Sequence, residues 1–232
     1  MNAAPGIAIP DWAKAYRVIS SAFPPISVFE DVLDPDQLEL AFAIEAMTND
    51  RLLDEAGVLN RVARADRVSG PGSTPLMAAF THIGAVSRFT DGTYGVYYCA
   101  SSIEAAIAET RFHRERFLAA TQEASLELTM RSYVNQVVKP LHDVRVGFAQ
   151  LHDPDTAGYP ICHSFARDLR QQDSYGVVYN SVRLPGHECA AVFRPPALTI
   201  PVQGAHYRYC WNGQRIEHVL TVQVMGNSQY KY

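Results

Sequence analysis

Residues 94–120 read YGVYYCASSIEAAIAETRFHRERFLAA. The first seven, Tyr94 to Ala100, are aromatic and β-branched, which predicts a strand. Ser101 and Glu104 follow as an S-x-x-E capping box, so a helix is expected from about 102 to 120. The helix begins with Ala105, Ala106, Ile107 and Ala108 before Glu109. Small residues let a helix lie close on a sheet, and a carboxylate on that helix is drawn towards the interior. A strand that runs straight into such a helix predicts mixed packing of helix on sheet.

The flanking sequence extends this pattern. Residues 14–19 (KAYRVI) alternate as a short strand. Asp34-Pro35 fits an N-cap with proline at the first helical position, and one or two helices are expected over 35–56. Residues 75–84 predict a short helix after the loop SGPGSTP. Leu126, Leu128 and Met130 alternate with Glu127, Thr129 and Arg131, as in a half-buried strand. A helix is expected from about 157 to 171, and strands over 175–182 and 188–194 around Pro185-Gly186. The C-terminal part, 206–224, reads as a β-hairpin across Asn212-Gly213, with the signal of a type I′ turn. Regular βαβ alternation is missing, so the fold class is α+β, with helices flanking a mixed sheet.

Composition bounds the function. Twenty basic and 24 acidic residues give a net charge of −4, and the arginines are scattered. Non-specific nucleic-acid binding, which needs a basic stripe, is not expected. Hydrophobic residues make 47% and charged residues 19%, an ordinary globular composition. No apolar run reaches the roughly 18–20 residues of a membrane helix, so no membrane contact is expected. The stretch Met1 to Trp12 lacks a basic start and carries Pro5 and Pro10, unlike a secretory signal. Cys99, Cys162, Cys189 and Cys210 form no C-x-x-C pair, which points to a reducing cytoplasm. No proline-rich stretch is long enough to separate independent domains, so residues 1–232 are expected to form one domain.

The familiar catalytic motifs are absent. The eight histidines are scattered and no H-E-x-x-H occurs, so no metal is expected. There is no phosphate-binding G-x-x-x-x-G-K-[ST], no G-x-G-x-x-G and no G-x-S-x-G. What remains is an ordered set. Arg88 precedes a turn at Asp91-Gly92, and Tyr98 ends the strand. Glu109 and His113 lie one helical turn apart, and Asn180 and Ser181 end a later strand. Read singly, each residue also has an ordinary role. Glu109 fits a surface salt bridge with His113 or an arginine, and Arg88 a bridge to Asp91. Tyr98 fits core packing, and Ser181 the capping of a bend.

Taken as a set, residues 87–113 (SRFTDGTYGVYYCASSIEAAIAETRFH) and 175–195 (YGVVYNSVRLPGHECAAVFRP) resemble the RES-domain family, named for an arginine, a glutamate and a serine. Arg88, Tyr98, Glu109, His113 and Ser181 fall on that pattern. The resemblance runs from about 14 to 224, including Tyr16-Arg17-Val18, and is best over 84–196. It departs at Phe89, where the family also uses tryptophan, and segment 33–70 matches nothing in it.

The resemblance implies a split, mixed β core like that of ADP-ribosyltransferases. It implies the toxin of a type II toxin–antitoxin pair, with NAD as substrate and a small Xre-like antitoxin as partner. Family members hydrolyse or phosphorolyse NAD, or transfer ADP-ribose to a protein target. Under that reading Arg88, Glu109 and Ser181 are catalytic, and Arg88, Tyr98, His113, Asn180 and Ser181 bind substrate. Arg88 grips the pyrophosphate, Tyr98 meets the nicotinamide end, and Glu109 supplies charge to the ribosyl cation. Ser181 and His113 orient Glu109 or bind the ribose end. The alternative is a non-catalytic module that senses or binds a nucleotide on the same fold.

Overall fold

The computed structural model describes residues 4–21 and 59–223. Among them nine strands form one sheet: β1 (Gly6–Ala8), β2 (Ala15–Ser20), β3 (Tyr97–Ala100), β4 (Leu126–Asn135), β5 (Leu141–Asp143), β6 (Gly176–Asn180), β7 (Glu188–Val192), β8 (Val202–Trp211) and β9 (Ile216–Val222). Their order is β1-β5-β6-β7-β3-β2-β4-β8-β9. β5 and β6 run parallel, and the other neighbours are antiparallel. Among the described residues three α-helices flank the sheet: α1 (Thr74–Thr81), α2 (Ile103–Ala120) and α3 (Tyr159–Gln171). The α+β class expected from the sequence is the observed one.

The sheet divides in its middle. β2 follows β4 in register from Ala15↔Asn135 to Ser20↔Met130, and β3 follows β7 from Tyr97↔Val192 to Ala100↔Cys189. β2 and β3 meet only at Tyr16↔Ala100. Beyond that pair they splay, leaving a cleft between a five-strand half ending in β3 and a four-strand half beginning with β2.

Alternation along the strands builds a core on each face. Val177, Tyr179, Cys189 and Ala191 point to the face that also holds Ala105 and Leu118 of α2, Ala166 and Leu169 of α3, and Trp211. Val178, Ala190, Val192 and Tyr97 point to the opposite face, against Leu76, Met77 and Phe80 of α1. β6 and β7 are thus covered on both sides and read as near-continuous apolar runs. Gly176 opens β6 with φ +144, and a Cβ there would lie 2.3 Å from the Ala191 carbonyl oxygen. Only glycine fits that conformation and that contact.

Several local expectations change. The α2 cap is Ser102, whose Oγ accepts from the Ala105 N–H at 3.2 Å. Ser101 instead accepts from the Glu188 N–H, tying β7 to the helix entry, so the Ser101–Glu104 box does not form. The C-terminal hairpin closes through four residues rather than two. Trp211 pairs with Ile216, and Asn212 Oδ1 accepts from the N–H groups of Gln214 and Arg215. The asparagine side chain makes the turn that a type I′ backbone would otherwise make.

β1 and β5 are three-residue strands without their own periodicity, held by pairing with each other and with β6. Within segment 33–70, residues 33–58 and the helices expected over 35–56 lie outside the described residues. Residues Leu59–Arg61 and Arg64–Asp66 form 3-10 turns.

Candidate active site

The cleft between β2 and β3 holds a cavity of about 490 Å³. α2 roofs it, packed against β2 and β3 through Ala105 and Ala106. Three arginines line it, Arg17, Arg88 and Arg114, with Glu109 as its carboxylate. The cavity is therefore electropositive with one negative point, a field suited to an anionic ligand that carries a cationic centre.

Glu109 is half-buried in the wall. Ser181 Oγ donates to Glu109 Oε1 at 2.8 Å and accepts from the N–H groups of Leu184 at 3.0 Å and Arg183 at 3.3 Å. Two backbone donors occupy the serine oxygen, so its single hydrogen is turned to the carboxylate. Ser181 is 5% exposed. Cys189 Sγ approaches the same Oε1 at 3.9 Å, and burial first, then the charge of Glu109, pushes its thiol well up. Cys189 is a neutral wall rather than a nucleophile.

Arg88 is 4% exposed. Its Nη1 donates to the carbonyls of Leu151 at 3.0 Å and Asp153 at 2.9 Å, and its guanidinium sits 5.1 Å from the Tyr159 ring. Arg88 thus lines the cavity from a fixed post, and it does not bridge to Asp91. One stripe of α3 holds its loop. His163 Nε2 contacts the Ser87 carbonyl at 2.8 Å, Arg167 pairs with Asp91 at 2.8 Å, and Arg170 lies 3.8 Å over the Tyr94 ring. Positions 163, 167 and 170 share a helix face.

Tyr98 presents its ring to the cavity, but its hydroxyl is committed. It accepts from the Phe89 N–H at 2.9 Å and shares a 2.8 Å hydrogen bond with Ser87 Oγ. The hydroxyl locks the arginine loop to β3.

His113 also lines the cavity. It makes no salt bridge with Glu109. Its ring sits edge-on to Phe112 at 5.3 Å. Burial lowers it from the ordinary 6.5 to about 4, helped by Arg183, Arg116, Arg88 and Arg114, so it is neutral at pH 7. Asn180 is placed elsewhere. Its side-chain amide donates to the Arg145 carbonyl at 2.8 Å and its backbone N–H to His152 Nε2 at 3.1 Å, outside the cavity.

Arg17 lines the cavity without belonging to the set of candidate site residues expected from the sequence. Its Nη1 donates across the split to the Tyr98 carbonyl at 3.1 Å, taking the place of the missing β2–β3 ladder, and its guanidinium lies 4.4 Å from the Tyr97 ring. Its Nε is buried without a hydrogen-bond partner, and burial lowers its pKa. The available signal was a single arginine in the otherwise apolar alternation AYRVIS. Among the described residues no cluster of His, Cys, Asp and Glu is arranged to hold a metal ion, and no helix is long and apolar enough to cross a membrane.

Comparison with known proteins gives three findings. The RES domain matches residues 61–212. The uncharacterized protein y4oC of Sinorhizobium fredii is 32% identical over 229 residues, covering 95% of this chain and 92% of the relative. Among solved structures, the M. tuberculosis MbcT–MbcA toxin-antitoxin complex matches with a TM-score of 0.42 at 12% identity, over 92% of this chain and 86% of that chain.

Proposed function

The chain belongs to the RES-domain family, and on that premise we propose that it is the toxin of a toxin–antitoxin pair that breaks the nicotinamide–ribose bond of NAD. The observation that carries this reading is the Ser181–Glu109 hydrogen bond of 2.8 Å on the wall of an arginine-lined cavity.

The chemistry fits the residues. When the C1′–N bond breaks, its electron pair goes to the nicotinamide nitrogen, and neutral nicotinamide leaves. Positive charge moves onto the ribose C1′–O4′ unit. A preorganised carboxylate stabilises that charge, and such electrostatic terms are usually the largest in catalysis. Glu109 is the carboxylate, and the Ser181 hydrogen fixes its orientation before substrate arrives. Arg17 and Arg88 bind the pyrophosphate oxygens, and the unpartnered Nε of Arg17 supports its part. The Tyr98 ring packs against the nicotinamide end. Neutral His113 adds no positive charge beside the developing cation.

The partner follows from the same reading. Val86 and Phe117 line the cavity, yet are 62% and 58% exposed. An apolar rim around a charged cavity suits a protein stopper, here a small Xre-like antitoxin.

Nicotinamide release from NAD by the purified, antitoxin-free chain tests the proposal. Release is expected from the natural sequence, and Glu109→Gln is expected to lose at least about a hundredfold while staying folded. The co-product identifies the acceptor: free ADP-ribose means water, ADP-ribose-1″-phosphate means phosphate, and a labelled protein band means a protein target. Saturable NAD binding without nicotinamide release, with phosphate and cell extract present, would make the chain a nucleotide-binding module instead.

A further inference from the structure

A second cavity, of about 200 Å³, shares no lining residue with the cleft. Its wall includes Arg61, Asp66, Tyr94, Arg170, Asp173 and Arg194. The charges sort into spent and unspent groups. Arg194 holds Asp66 through two bonds of 2.7 and 2.8 Å and gives a third, of 3.0 Å, to the Asp173 carbonyl. That pair neutralises itself.

Arg61 and Arg170 have no carboxylate partner among the described residues. Arg170 rests on the Tyr94 ring, with the charge of Asp91 beyond ion-pair distance, and Arg61 is exposed at the mouth. Against them stands the exposed carboxylate of Asp173. Burial holds the Arg170 guanidinium below its ordinary value, with Tyr94 and then Asp91 acting in the opposite direction.

We propose that this cavity is a binding site for a phosphate group, as inorganic phosphate or a small phosphomonoester, held between Arg61 and Arg170. Planar guanidinium forks from two separate elements match phosphate oxygens, and the cavity has room for the anion and its waters. A phosphomonoester is mostly dianionic above its second pKa of about 6, which suits two arginines without an ion-pair partner better than a carboxylate does.

The site also reaches the cleft. Tyr94, beneath Arg170, donates its hydroxyl to the Phe89 carbonyl at 2.7 Å, and its own carbonyl accepts from Thr90 Oγ1 at 2.6 Å. Those residues directly follow Arg88. Occupation of the cavity therefore stiffens the loop that carries Arg88, whatever the cleft itself binds.

The test uses the full chain without NAD. Sodium phosphate is titrated calorimetrically at pH 7.5 and constant ionic strength, with hydrogen exchange followed in parallel. Saturable binding is expected, with slowed exchange over residues 87–94 and the end of α3. Arg61→Gln and Arg170→Gln are each expected to weaken binding by about tenfold or more, as loss of a charge-assisted pair does. Arg61 is exposed, so its variant reports even if Arg170→Gln disturbs the fold. The proposal is overturned if Arg61→Gln binds as tightly as the natural chain. It is also overturned if sodium acetate binds equally well, or if exchange over 87–94 does not change.

Discussion

The two halves of the sheet are built on different principles. In the five-strand half, β6, β7 and β3 lie between α2 and α3 on one face and α1 on the other, so nearly every side chain is buried. In the four-strand half, the outer strands β8 and β9 are largely exposed, burying fully only Tyr209, Trp211 and Ile216, and Leu220 is 49% exposed. The site draws unequally on them. Ser181, Tyr98 and the Arg88 loop belong to the closed half, while the open half supplies Arg17. Groups that must hold one position to within tenths of an ångström sit where packing fixes them from both sides. The half that only walls the cleft keeps a free face.

That contrast is open to direct attack. The largest effect is expected from Gly176→Ala, which forces a Cβ against the Ala191 carbonyl and strains the backbone. A loss of about 3 kcal/mol or more is expected in denaturant unfolding. A loss under about 1 kcal/mol would mean that the closed half yields more than its packing implies.

Next comes His113, on the helix that roofs the split. Its folded pKa lies near 4 against an ordinary 6.5, through burial and then the charges of Arg183, Arg116, Arg88 and Arg114. Between those values the unfolded chain binds the extra proton. The contribution of His113 to stability is therefore complete above about pH 6.5 and is lost as the pH drops towards 4, its size screened by the exposure of the side chain. His113→Asn is expected to flatten that slope in melts taken across this range, and an unchanged slope would assign it to other groups. The smallest effect is expected at the open edge, where Leu220→Thr should change stability by no more than about 0.5 kcal/mol. A larger loss would show that the exposed face of β9 is covered in solution.

What could be read from the sequence follows the same division between local and distant causes. The β3–α2 unit, the β6–β7 pair and the β8–β9 hairpin each carry their own periodicity, cap or turn residues. β1 and β5 carry none, because they exist only through each other and β6. The cap moved by one residue because two adjacent serines offer equivalent side chains, and pairing of Ser101 with Glu188 decides between them. Among the site residues, period two already sets Tyr179 and Ser181 on one side and Asn180 on the other, which is why Asn180 faces away. Arg17 stands out as a lone arginine in an apolar strand, but its place in the site is not legible, because that depends on where β2 and β3 part.

The distance along the chain between Glu109 and Ser181 has a consequence during synthesis. The two are 72 positions apart, and the strands flanking the cleft pair across longer separations still, β2 with β4 and β3 with β7. A ribosome adding roughly 5–20 residues each second completes the helix with its carboxylate several seconds before the serine emerges. During that interval the carboxylate has no holder and the cleft has only part of its walls. A chain released early carries only a fragment of the site, so the Ser181–Glu109 pair exists only once most of the chain has been made.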